Sequence, residues 1–379
     1  MNVLGLMSGT SADGVDAVLA QFRGPARRPR WRILASAHQP YSQELRQRLI
    51  RAGQGDPLAA EAWLELAEAV SEAQAEAARR CDPQGRAQLV GCHGQTVWHR
   101  PPREKTRGAS WQLLNGPLLA QLLARPVIYD FRGADLALGG QGAPLVPPTD
   151  AALLGGGPGW RALLNLGGIA NLTLLPPAMG PERGAPVLGW DCGPANTLLD
   201  LATQRFSGGR LPFDANGVWA GEGEVAEEVV EHWLKEPYFQ QEPPKSTGRE
   251  QFGAADLERR LADLAEGQPG HSPADALATL TALTAAAVAQ DLRRGPAALE
   301  LLVAGGGARN ATLMGQLRRR CRGLRVRALA ELGIAEDQRE ALAFALLAWW
   351  HQRGLPGSLP SVTGARRAAV LGVRAEGGP

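Results

Sequence analysis

Short apolar runs separated by turn residues open the chain. Val3–Met7 and Val15–Phe22 are apolar, and the small and polar residues of Ser8–Gly14 lie between them. A third apolar run, Trp31–Ala37, follows a loop of glycine, proline and arginine. Runs of this length bounded by turn residues are typical of strands. The pattern predicts a hairpin followed by a third strand.

Helical and strand patterns alternate over the next part of the chain. Apolar positions recur every three or four residues over 57–80, which indicates a helix. The short run Gln88–Gly91 predicts a strand that leads into His93-Gly94-Gln95-Thr96. A second helix, predicted over 115–124, precedes the run Pro126–Phe131, which has the composition of a buried strand.

A similar series begins again after the Gly/Pro segment Gly155–Gly159. Arg161–Leu166 predicts a strand, Gly167-Gly168 a turn, Ile169–Leu175 a returning strand and Val187–Trp190 a third strand. The two series start about 160 residues apart, which is far too long a period for a solenoid repeat. Helices follow each series. The chain is therefore predicted to contain two related α/β domains that face a cleft.

The last third is predicted to be rich in helix. Ser272 is a good N-cap with Pro273 at the first helical position, and Gly295 is the expected end of that helix. A strand over Leu299–Ala304 and a helix from about Asn310 to Arg320 follow. A final helix is predicted over 337–353, ending at Gly354.

The length of 379 residues suits two domains. We expect a first domain over 1–147 that carries a phosphate hairpin and binds sugar, and a second, nucleotide-binding domain over 148–354. The tail, 355–379, is expected to pack back on the first domain.

Composition excludes several classes of protein. The formal net charge is only +2 and no block of five like charges occurs, so nucleic-acid binding is not expected. The cysteines form no CxxC pair, and neither a disulfide framework nor a zinc site is expected. The chain opens without a signal-peptide pattern and contains no run of eighteen apolar residues, so no membrane span is expected and cytoplasm is the default. The cysteines are Cys81, Cys92, Cys192 and Cys321.

Ser8-Gly9-Thr10-Ser11-Ala12-Asp13-Gly14 is a candidate phosphate hairpin. Small residues allow backbone N–H groups to approach an anion, and hydroxyl groups add donors. The lysine of the GxxxxGK[ST] P-loop is missing. The alternative is an ordinary polar glycine hairpin.

Asn165–Asn171 is a second glycine hairpin, and two such hairpins could clamp a polyphosphate from both sides. The segment Asp191–Asn196 then places a carboxylate at a strand end. Such a carboxylate can take a proton from an attacking hydroxyl or water. The alternative is that Asp191 only caps the turn that follows.

Three glycines, Gly305-Gly306-Gly307, stand between a predicted strand and helix. This composition suits close passage of a flat ligand or phosphate at a helix N-terminus, although a tight turn without ligand has the same pattern. The GxGxxG spacing is absent, which disfavours a Rossmann site. His93 and His99 are poorly spaced for a metal, and His93 is either a ligand contact or a structural histidine. Gly139–Pro144 is a flexible loop with one amide, Gln141, suited to an inter-domain crossing.

Each of these signals is weak alone, but their order is specific. A phosphate hairpin, a second glycine hairpin, a strand-end aspartate and a triple-glycine turn follow one another in the duplicated actin/hexokinase-like ATPases. At this level of detail the sequence resembles the anhydro-N-acetylmuramic acid kinases. The resembling segments, which span nearly the whole chain in order, are Gly5–Ser11, Asp13–Asp16, His93–Thr96, Asp130–Arg132, Gly139–Pro147, Asn165–Asn171, Asp191–Asn196, Pro243–Glu250, Gly305–Asn310, Glu340–Ala345 and Val362–Ala365.

The resemblance implies a fold and a reaction. It implies an α/β protein with two duplicated ribonuclease-H-like domains of the actin/hexokinase type around a cleft for ATP and substrate. The expected enzyme uses ATP and water to convert 1,6-anhydro-N-acetylmuramic acid into N-acetylmuramic acid 6-phosphate and ADP, in recycling of the bacterial cell wall. ATP and Mg²⁺ are the implied cofactors, an amino sugar the implied substrate and a homodimer the implied assembly.

The resemblance also implies roles for residues. Asp191 is expected to deprotonate the water, and Arg132 or Arg249 to bind the lactyl carboxylate of the sugar acid. The ligands of the metal are left open. Contacts with ATP are expected at Gly9, Thr10, Ser11, Ala12, Asp13, Gly14, Val15, Asp16, Gly167, Gly168, Gly305, Gly306, Gly307 and Asn310. Contacts with the substrate are expected at His93, Thr96, Arg132, Gln141, Asn196 and Glu340.

Two departures from the expected pattern concern detail. Many actin-like kinases carry an aspartate at the start of the first phosphate strand, where this chain has Gly5. Thr149 and Asp150 stand where an aromatic residue and a histidine are expected.

Two other functions have to be weighed. An ordinary hexose or N-acetylhexosamine kinase would phosphorylate a hydroxyl without attack by water, and the mass of the product separates the two reactions. An actin- or chaperone-like ATP switch would polymerise or carry a further peptide-binding domain, and no such domain fits in the residues after Gly372.

Overall fold

Strands and helices alternate along residues 1–335 and 337–378, the part of the chain that this computed structural model describes. The strands are β1 (Asn2–Ser8), β2 (Gly14–Arg23), β3 (Arg30–Pro40), β4 (Leu89–Arg100), β5 (Ala109–Leu113), β6 (Val127–Tyr129), β7 (Trp160–Leu166), β8 (Ile169–Leu175), β9 (Leu188–Pro194), β10 (Ala298–Ala304), β11 (Arg325–Ala328) and β12 (Val373–Ala375). The helices are α1 (Gln43–Gly53), α2 (Ala60–Cys81), α3 (Gly116–Leu123), α4 (Gly133–Ala137), α5 (Pro147–Leu154), α6 (Asn196–Phe206), α7 (Val218–Gly221), α8 (Glu227–Trp233), α9 (Pro237–Gln240), α10 (Ala254–Gly267), α11 (Pro273–Leu292), α12 (Ala311–Arg320), α13 (Arg339–His351) and α14 (Pro360–Thr363).

Two units share one strand order. The first unit comprises the described residues of Met1–Gly155 and Asp337–Pro379, and the second those of Gly156–Glu336. In the first unit, β3, β2 and β1 are antiparallel, and β4 and β6 continue the sheet parallel to β1. In the second unit, β9, β8 and β7 are antiparallel, and β10 and β11 continue the sheet parallel to β7. The predicted pair of duplicated ribonuclease-H-like α/β domains is therefore confirmed.

The first unit is completed by the end of the chain. Strand β12 pairs antiparallel with β6 and adds an edge to the sheet. Helix α13 packs directly on β1 and β4, where a Cβ on Gly5 would lie 1.8 Å from the carbonyl oxygen of Ala341. A Cβ on Gly91 would lie 2.2 Å from the carbonyl oxygen of Phe344. Glycine on the two strands therefore allows the backbone of the helix to approach the sheet.

This packing differs from the predicted domain assignment. The helix expected over 337–353 was grouped with 148–354, whereas α13 belongs to the unit that holds residues 1–155. All ten residues from Ala341 to Trp350 are buried, so the pattern predicts a core helix without showing which sheet it covers. Helix α5 also lies in the first unit, where the Trp31 indole donates to the carbonyl oxygen of Leu153 at 3.0 Å.

Local signals explain several element boundaries. The N-cap predicted at Ser272 is present as a capping box, in which Ser272 Oγ accepts from the Asp275 N–H and Asp275 Oδ2 accepts from the Ser272 N–H. Strand β4 runs on to Arg100, so His93–Thr96 lies inside the strand rather than after it. The extension forms because β5, which the sequence analysis missed, pairs with β4 from Gln95 onward.

Both sheets have apolar faces covered by helices. In the first unit, α1, α2 and α3 contribute to a core with β1, β2 and β4. In the second unit, α11 and α12 cover one core and α6, α8 and α10 contribute to another. Among the described residues, no helix has both the length and the apolar character needed to cross a bilayer.

Candidate active site

Three parallel strands bring the predicted residues of the first unit to one sheet edge. Strands β1, β4 and β6 are neighbours, with Ser8 opposite Gln95 in the register. Because the carboxyl ends of parallel strands lie at the same edge, the hairpin after Ser8, the segment His93–Thr96 and Asp130–Arg132 meet there.

Two hydrogen bonds to the carbonyl oxygen of Gly9 fix the hairpin after β1. The Ala12 N–H donates to the carbonyl oxygen of Gly9 at 3.2 Å, and Gln95 Nε2 donates to the same oxygen at 2.9 Å. Ala12 adopts a left-handed φ of 49° and is buried. Thr10 and Ser11 are exposed. The hairpin thus presents hydroxyl groups and backbone outward, as a phosphate-binding hairpin requires.

Not every residue predicted in this segment is free to bind. Ser8 Oγ is buried between Tyr41 Oη, at 2.8 Å, and Gln74 Nε2, at 2.7 Å. A Cβ on Gly14 would lie 2.4 Å from the carbonyl oxygen of Gln39. The side chain of Val15 lies in the core. Gly14 and Val15 can therefore contact a nucleotide only through their main chain.

Two aspartates belong to the hairpin. Asp13 is exposed and its Oδ1 accepts from Ser11 Oγ at 2.9 Å. Asp16 Oδ1 lies 2.7 Å from His38 Nδ1. Burial raises the pKa of the Asp16 carboxyl, and the contact with His38 opposes that rise.

A cavity of about 450 Å³ adjoins the hairpin within the first unit. It is lined by Thr10 and Ala12, by residues 95–99 of β4 and by the C-terminal part of α1. Thr96 borders this cavity, and its Oγ1 accepts from Gln112 Nε2 at 3.2 Å. The structure therefore brings the predicted substrate residue Thr96 to the predicted phosphate hairpin.

His93 and Arg132 form a direct pair. The His93 ring is 3% exposed, and its Nδ1 lies 2.9 Å from the carbonyl oxygen of Gly94, so Nδ1 carries the proton. His93 Nε2 then accepts from Arg132 Nε at 3.2 Å and from Nη2 at 2.9 Å, while Arg132 Nη1 donates to the carbonyl oxygen of Gly142 at 2.7 Å. Burial, with Arg132 adding to it, lowers the pKa of His93 to about 3, so the imidazole stays neutral.

The loop that carries Gly142 is fixed by a buried aspartate. Asp135 Oδ2 accepts from the Gly142 N–H at 2.8 Å, and Asp135 Oδ1 accepts from Thr363 Oγ1 at 2.8 Å. The N–H of Gln141 donates to the carbonyl oxygen of Thr363, also at 2.8 Å, while Gln141 itself is exposed. The sequence analysis missed Asp135, although the adjacent Asp130–Arg132 motif pointed to this region.

The start of α13 adds charged residues to the same unit. Arg339 forms a two-point ion pair with the buried Asp150, at 3.2 and 2.5 Å. Burial raises the pKa of the Glu340 carboxyl, while Arg339 and then Arg132 act to lower it. Glu340 therefore lies within the electrostatic reach of Arg132.

In the second unit, two glycine turns lie against each other. Strands β7 and β10 are parallel neighbours, so their carboxyl ends share an edge. A Cβ on Gly305 would lie 2.7 Å from the carbonyl oxygen of Leu166, and one on Gly307 would lie 2.6 Å from Leu166 Cβ. Gly305 also has a φ of 82°. The triple-glycine turn thus lies beside the Gly167-Gly168 hairpin, in the way a nucleotide site requires.

Two asparagines predicted to touch ligands have structural bonds here. Asn196 Nδ2 donates to the carbonyl oxygen of Leu166 at 3.0 Å, and its N–H donates to the carbonyl oxygen of Gly167 at 3.0 Å. Asn310 Oδ1 caps α12 by accepting from the Leu313 N–H at 2.9 Å. Asn196 therefore supports the turn after β7, and Asn310 is the N-cap of α12.

Asp191 is held by neutral donors. Its Oδ1 accepts from Asn171 Nδ2 at 2.7 Å, and its Oδ2 accepts from Ser246 Oγ and from the Thr247 N–H, each at 3.0 Å. Asn171 is its partner across β8 and β9, close to the glycine hairpin. None of these donors belongs to the turn after Asp191, so the carboxylate is oriented rather than used as a cap.

A buried ion pair supports the segment that holds Asp191. Lys245 Nζ lies 3.0 Å from Asp291 Oδ1, and both side chains are almost fully buried. The carbonyl oxygen of Lys245 accepts from the Asp191 N–H at 3.0 Å, and Tyr238 Oη donates to the carbonyl oxygen of Asp191 at 2.8 Å. Lys245 Nζ also lies 4.9 Å from the centre of the Tyr238 ring. Lys245 lies in the motif Pro243–Glu250, from which the sequence predicts no role for its side chain.

Arg249 lies on the nucleotide side of the second unit. A Cβ on Gly168 would lie 3.6 Å from Arg249 Nε. Arg249 also acts on Asp200, whose pKa burial raises to about 6 while the guanidinium opposes the rise.

The duplicated sheets, with glycine turns at corresponding edges, have the architecture of the actin/hexokinase-like ATPase class. A sequence model of the family described as "Anhydro-N-acetylmuramic acid kinase" matches residues 1–376. The chain belongs to the anhydro-N-acetylmuramic acid kinase family.

Named relatives and solved structures agree with this assignment to different degrees. A protein of that name from Synechococcus sp. (strain CC9902) is 63% identical over 378 residues, covering 98% of this chain and 99% of the relative. One from Prochlorococcus marinus (strain MIT 9303) is 61% identical over 381 residues, covering 99% and 100%. A solved ROK family glucokinase from Streptomyces griseus covers 92% of this chain and 99% of its own at 14% identity, with a TM-score of 0.37 that is too low to carry an argument.

Proposed function

We propose that the chain converts ATP, water and 1,6-anhydro-N-acetylmuramic acid into ADP and N-acetylmuramic acid 6-phosphate. The observation that carries the proposal is Asp191, whose carboxylate is held by Asn171, Ser246 and Thr247 beside a glycine hairpin. The relatives that bear the name of this activity match the whole chain at about the same length.

The reaction needs a base for water. In the proposed step, Asp191 takes a proton from water while the water oxygen bonds to the anomeric carbon of the sugar. The bond between that carbon and the bridging 6-oxygen breaks. The 6-oxygen takes the γ-phosphoryl group, and ADP leaves. The three donors around Asp191 fix the direction of its lone pairs without neutralising it, which suits a general base.

Both glycine hairpins serve ATP in this proposal. The segment Gly9–Asp16 binds phosphates, Gly167 and Gly168 add to this, and Gly305–Gly307 with Asn310 line the adenosine side. The turns leave main-chain atoms free of side chains at the sheet edges, which is the property that supports these roles.

Mg²⁺ is part of the proposal. No cluster of three or more acidic, histidine or cysteine side chains suited to a metal occurs among the described residues. Mg²⁺ bound with a nucleotide is usually held mostly by phosphate oxygens and water. Asp13 and Asp16 are the hairpin carboxylates that could add a protein ligand. When bound, the ion offsets the charge of the triphosphate.

The sugar is proposed to contact His93, Thr96, Arg132, Gln141, Asn196 and Glu340. All of these except Asn196 belong to the first unit and carry donors or acceptors, and Arg132 supplies the positive charge. Asn196 would act through the turn it supports rather than by direct contact.

The cellular setting is also proposed. The enzyme would act in the cytoplasm, as a homodimer, on sugar released when the cell wall is recycled. Sedimentation of the purified protein at several concentrations tests the dimer.

The test of the reaction is the mass of the product. The purified protein is incubated with ATP, Mg²⁺ and 1,6-anhydro-N-acetylmuramic acid in water enriched in heavy oxygen. The expected product has gained one phosphate and one labelled water. A phosphorylated sugar without the added water would replace this proposal with an ordinary sugar kinase.

A further inference from the structure

A buried tyrosine joins the phosphate hairpin, Ser8–Gly14, to the rest of the first unit. Tyr41 lies just before α1 and is 7% exposed. Its Oη lies 2.8 Å from Oγ of Ser8, the first residue of the hairpin. Its N–H donates to the carbonyl oxygen of Asp13, near the other end of the hairpin, at 3.1 Å. Tyr41 is therefore bonded to both arms of the hairpin.

The contact between Tyr41 and Ser8 belongs to a buried network of side chains. Gln74 of α2 is fully buried, and its Nε2 donates to Ser8 Oγ at 2.7 Å. The hydroxyl groups of Ser8 and Tyr41 can each donate or accept, so the network is complete at Ser8 Oγ. Burial raises the pKa of the Tyr41 phenol, so this hydroxyl stays protonated. Because the three side chains are shielded from solvent, bulk water does not replace a partner that is removed.

The tip of the hairpin has few other contacts to hold it. Thr10 and Ser11 are exposed, and Gln95 Nε2 donates to the carbonyl oxygen of Gly9 at 2.9 Å. A short segment of small residues has many conformations when it is not fixed. Donors that are already ordered bind a ligand without paying for that order at the moment of binding. Loss of one attachment of the hairpin should therefore weaken the binding of phosphate.

We infer that Tyr41 is a positioning residue for ATP, which acts through Ser8 and Asp13 by fixing the hairpin in the conformation that binds phosphate. Tyr41 does not contact the nucleotide in this role, because its side chain is buried and its hydroxyl is bonded to Ser8. The inference rests on the proposed function, because that proposal assigns the phosphates of ATP to the hairpin. Its consequence is selective, since Tyr41 is not among the residues proposed to contact the sugar.

The experiment separates the two substrates. KM for ATP and KM for 1,6-anhydro-N-acetylmuramic acid are measured with Mg²⁺ for wild type, Tyr41→Phe and Tyr129→Phe. Removal of the Tyr41 hydroxyl should raise KM for ATP roughly 3- to 10-fold and leave KM for the sugar unchanged. Calorimetry with the β,γ-imido analogue of ATP should show the same loss of affinity. The Tyr129 hydroxyl forms no hydrogen bond with another residue that the structure describes, so Tyr129→Phe should behave as wild type.

Ser8→Ala breaks the same contact from its other side and tests the inference should Tyr41→Phe not fold. It should also raise KM for ATP selectively. The double variant should be little worse than either single variant, because residues that act through one contact are not additive. Ser358→Ala is the matched control. It removes a buried hydroxyl that accepts from the Ala369 N–H at 3.0 Å, so it should lower the stability of the protein without changing KM for ATP.

Four results would overturn the inference: a wild-type KM for ATP in Tyr41→Phe, an equal rise of both KM values, the same rise in Ser358→Ala, or strictly additive effects of Ser8→Ala and Tyr41→Phe. A wild type that binds the ATP analogue but does not convert the sugar would instead overturn the proposed reaction. Calorimetry on the variants would then still decide the role of Tyr41. A wild type that does not bind the analogue would overturn both proposals.

Discussion

Each unit has one charged side chain, Arg132 in the first and Asp191 in the second, that is oriented by hydrogen bonds to neutral groups. In the first unit, the Arg132 cation is surrounded by neutral acceptors, His93 and a carbonyl group. In the second unit, the Asp191 anion is surrounded by neutral donors from Asn171, Ser246 and Thr247. Hydrogen bonds to neutral groups orient a charge and leave it available to a ligand or a proton.

Buried charges that support the fold are instead paired with a side chain of opposite charge. Lys245 is paired with Asp291, and Arg339 with Asp150, so each charge is cancelled inside the protein. Burying a charge without a partner is costly, which is why such pairs occur in the core. The difference separates charges that support the sites from charges that act in them.

The strongest challenge to this comparison is Asp191→Asn. The variant keeps the size of the side chain but cannot accept a proton, so kcat should fall by about 10²–10⁴-fold. Product formation is measured by mass, and circular dichroism checks the fold. Asp56→Asn, at a surface ion pair with Arg51, is the matched control. An Asp191→Asn protein with wild-type kcat would remove Asp191 from the mechanism.

Lys245→Met tests a buried charge that is paired inside the protein. It leaves the buried Asp291 carboxylate with Arg294, whose Nη1 lies 3.1 Å from Asp291 Oδ1, so the free energy of unfolding should fall by about 1–3 kcal/mol, less than for a buried charge without a partner. Lys245→Met combined with Asp291→Leu should recover part of this loss, because Arg294 keeps its bonds to the carbonyl oxygens of Phe239 and Gln241. Urea unfolding gives the free energies. A double variant no more stable than the single one would contradict the purely structural assignment.

Gly5→Ala tests the close approach of α13 to the first sheet. The added Cβ would meet the carbonyl oxygen of Ala341 at 1.8 Å, so strand and helix must separate. Overpacking of this kind should cost about 1–3 kcal/mol of unfolding free energy. Gly315→Ala is the control, because no atom lies within 4 Å of its Cβ in α12 and it should stabilise the protein by about 0.5–1 kcal/mol. Equal effects of the two substitutions would argue against a steric origin.

The smallest expected effect concerns Asp200. Burial raises the pKa of its carboxyl to about 6, above the 3.8 of an unhindered aspartate, so the folded state disfavours the charged form. That penalty is absent below pH 3.8 and develops as the pH rises through 6. Asp200→Asn should therefore stabilise the protein at pH 7.5 by about 1 kcal/mol, with Arg249 limiting the gain, and have little effect at pH 4. A gain that is the same at both pH values would contradict this origin.

The sequence predicted what depends on neighbours along the chain. The two strand–glycine–strand series and the N-cap at Ser272 follow from local patterns, and the structure confirms them. The kinase class rests on the family resemblance, and the family match over residues 1–376 confirms it. The sequence did not predict features that depend on contacts between residues far apart along the chain. Strand β5 needs β4 as its partner, and α13 has buried residues on all sides, so its pattern fits either sheet.

The site divides in the same way. The sequence predicts Asp191 at a strand end, whereas it lies inside β9, which pairs with β8 as far as Pro194. Lys245 and Asp291 lie 54 and 100 residues away from it along the chain. His93 was equally consistent with a ligand contact and with a structural role. Only its bond to Arg132, 39 residues on, shows how the two residues act together.

The return of the chain end to the first unit has a consequence for biosynthesis. Residues 1–155 leave the ribosome before the second unit, yet α13 and β12, which complete their sheet, follow the second unit along the chain. The second unit, which is continuous in sequence, has all its strands before the first unit has received its closing helix. Domains of most multidomain proteins fold in the order of their synthesis. Here the later-made unit is the first that can finish folding, and the earlier-made one waits for α13 and β12 to be synthesised.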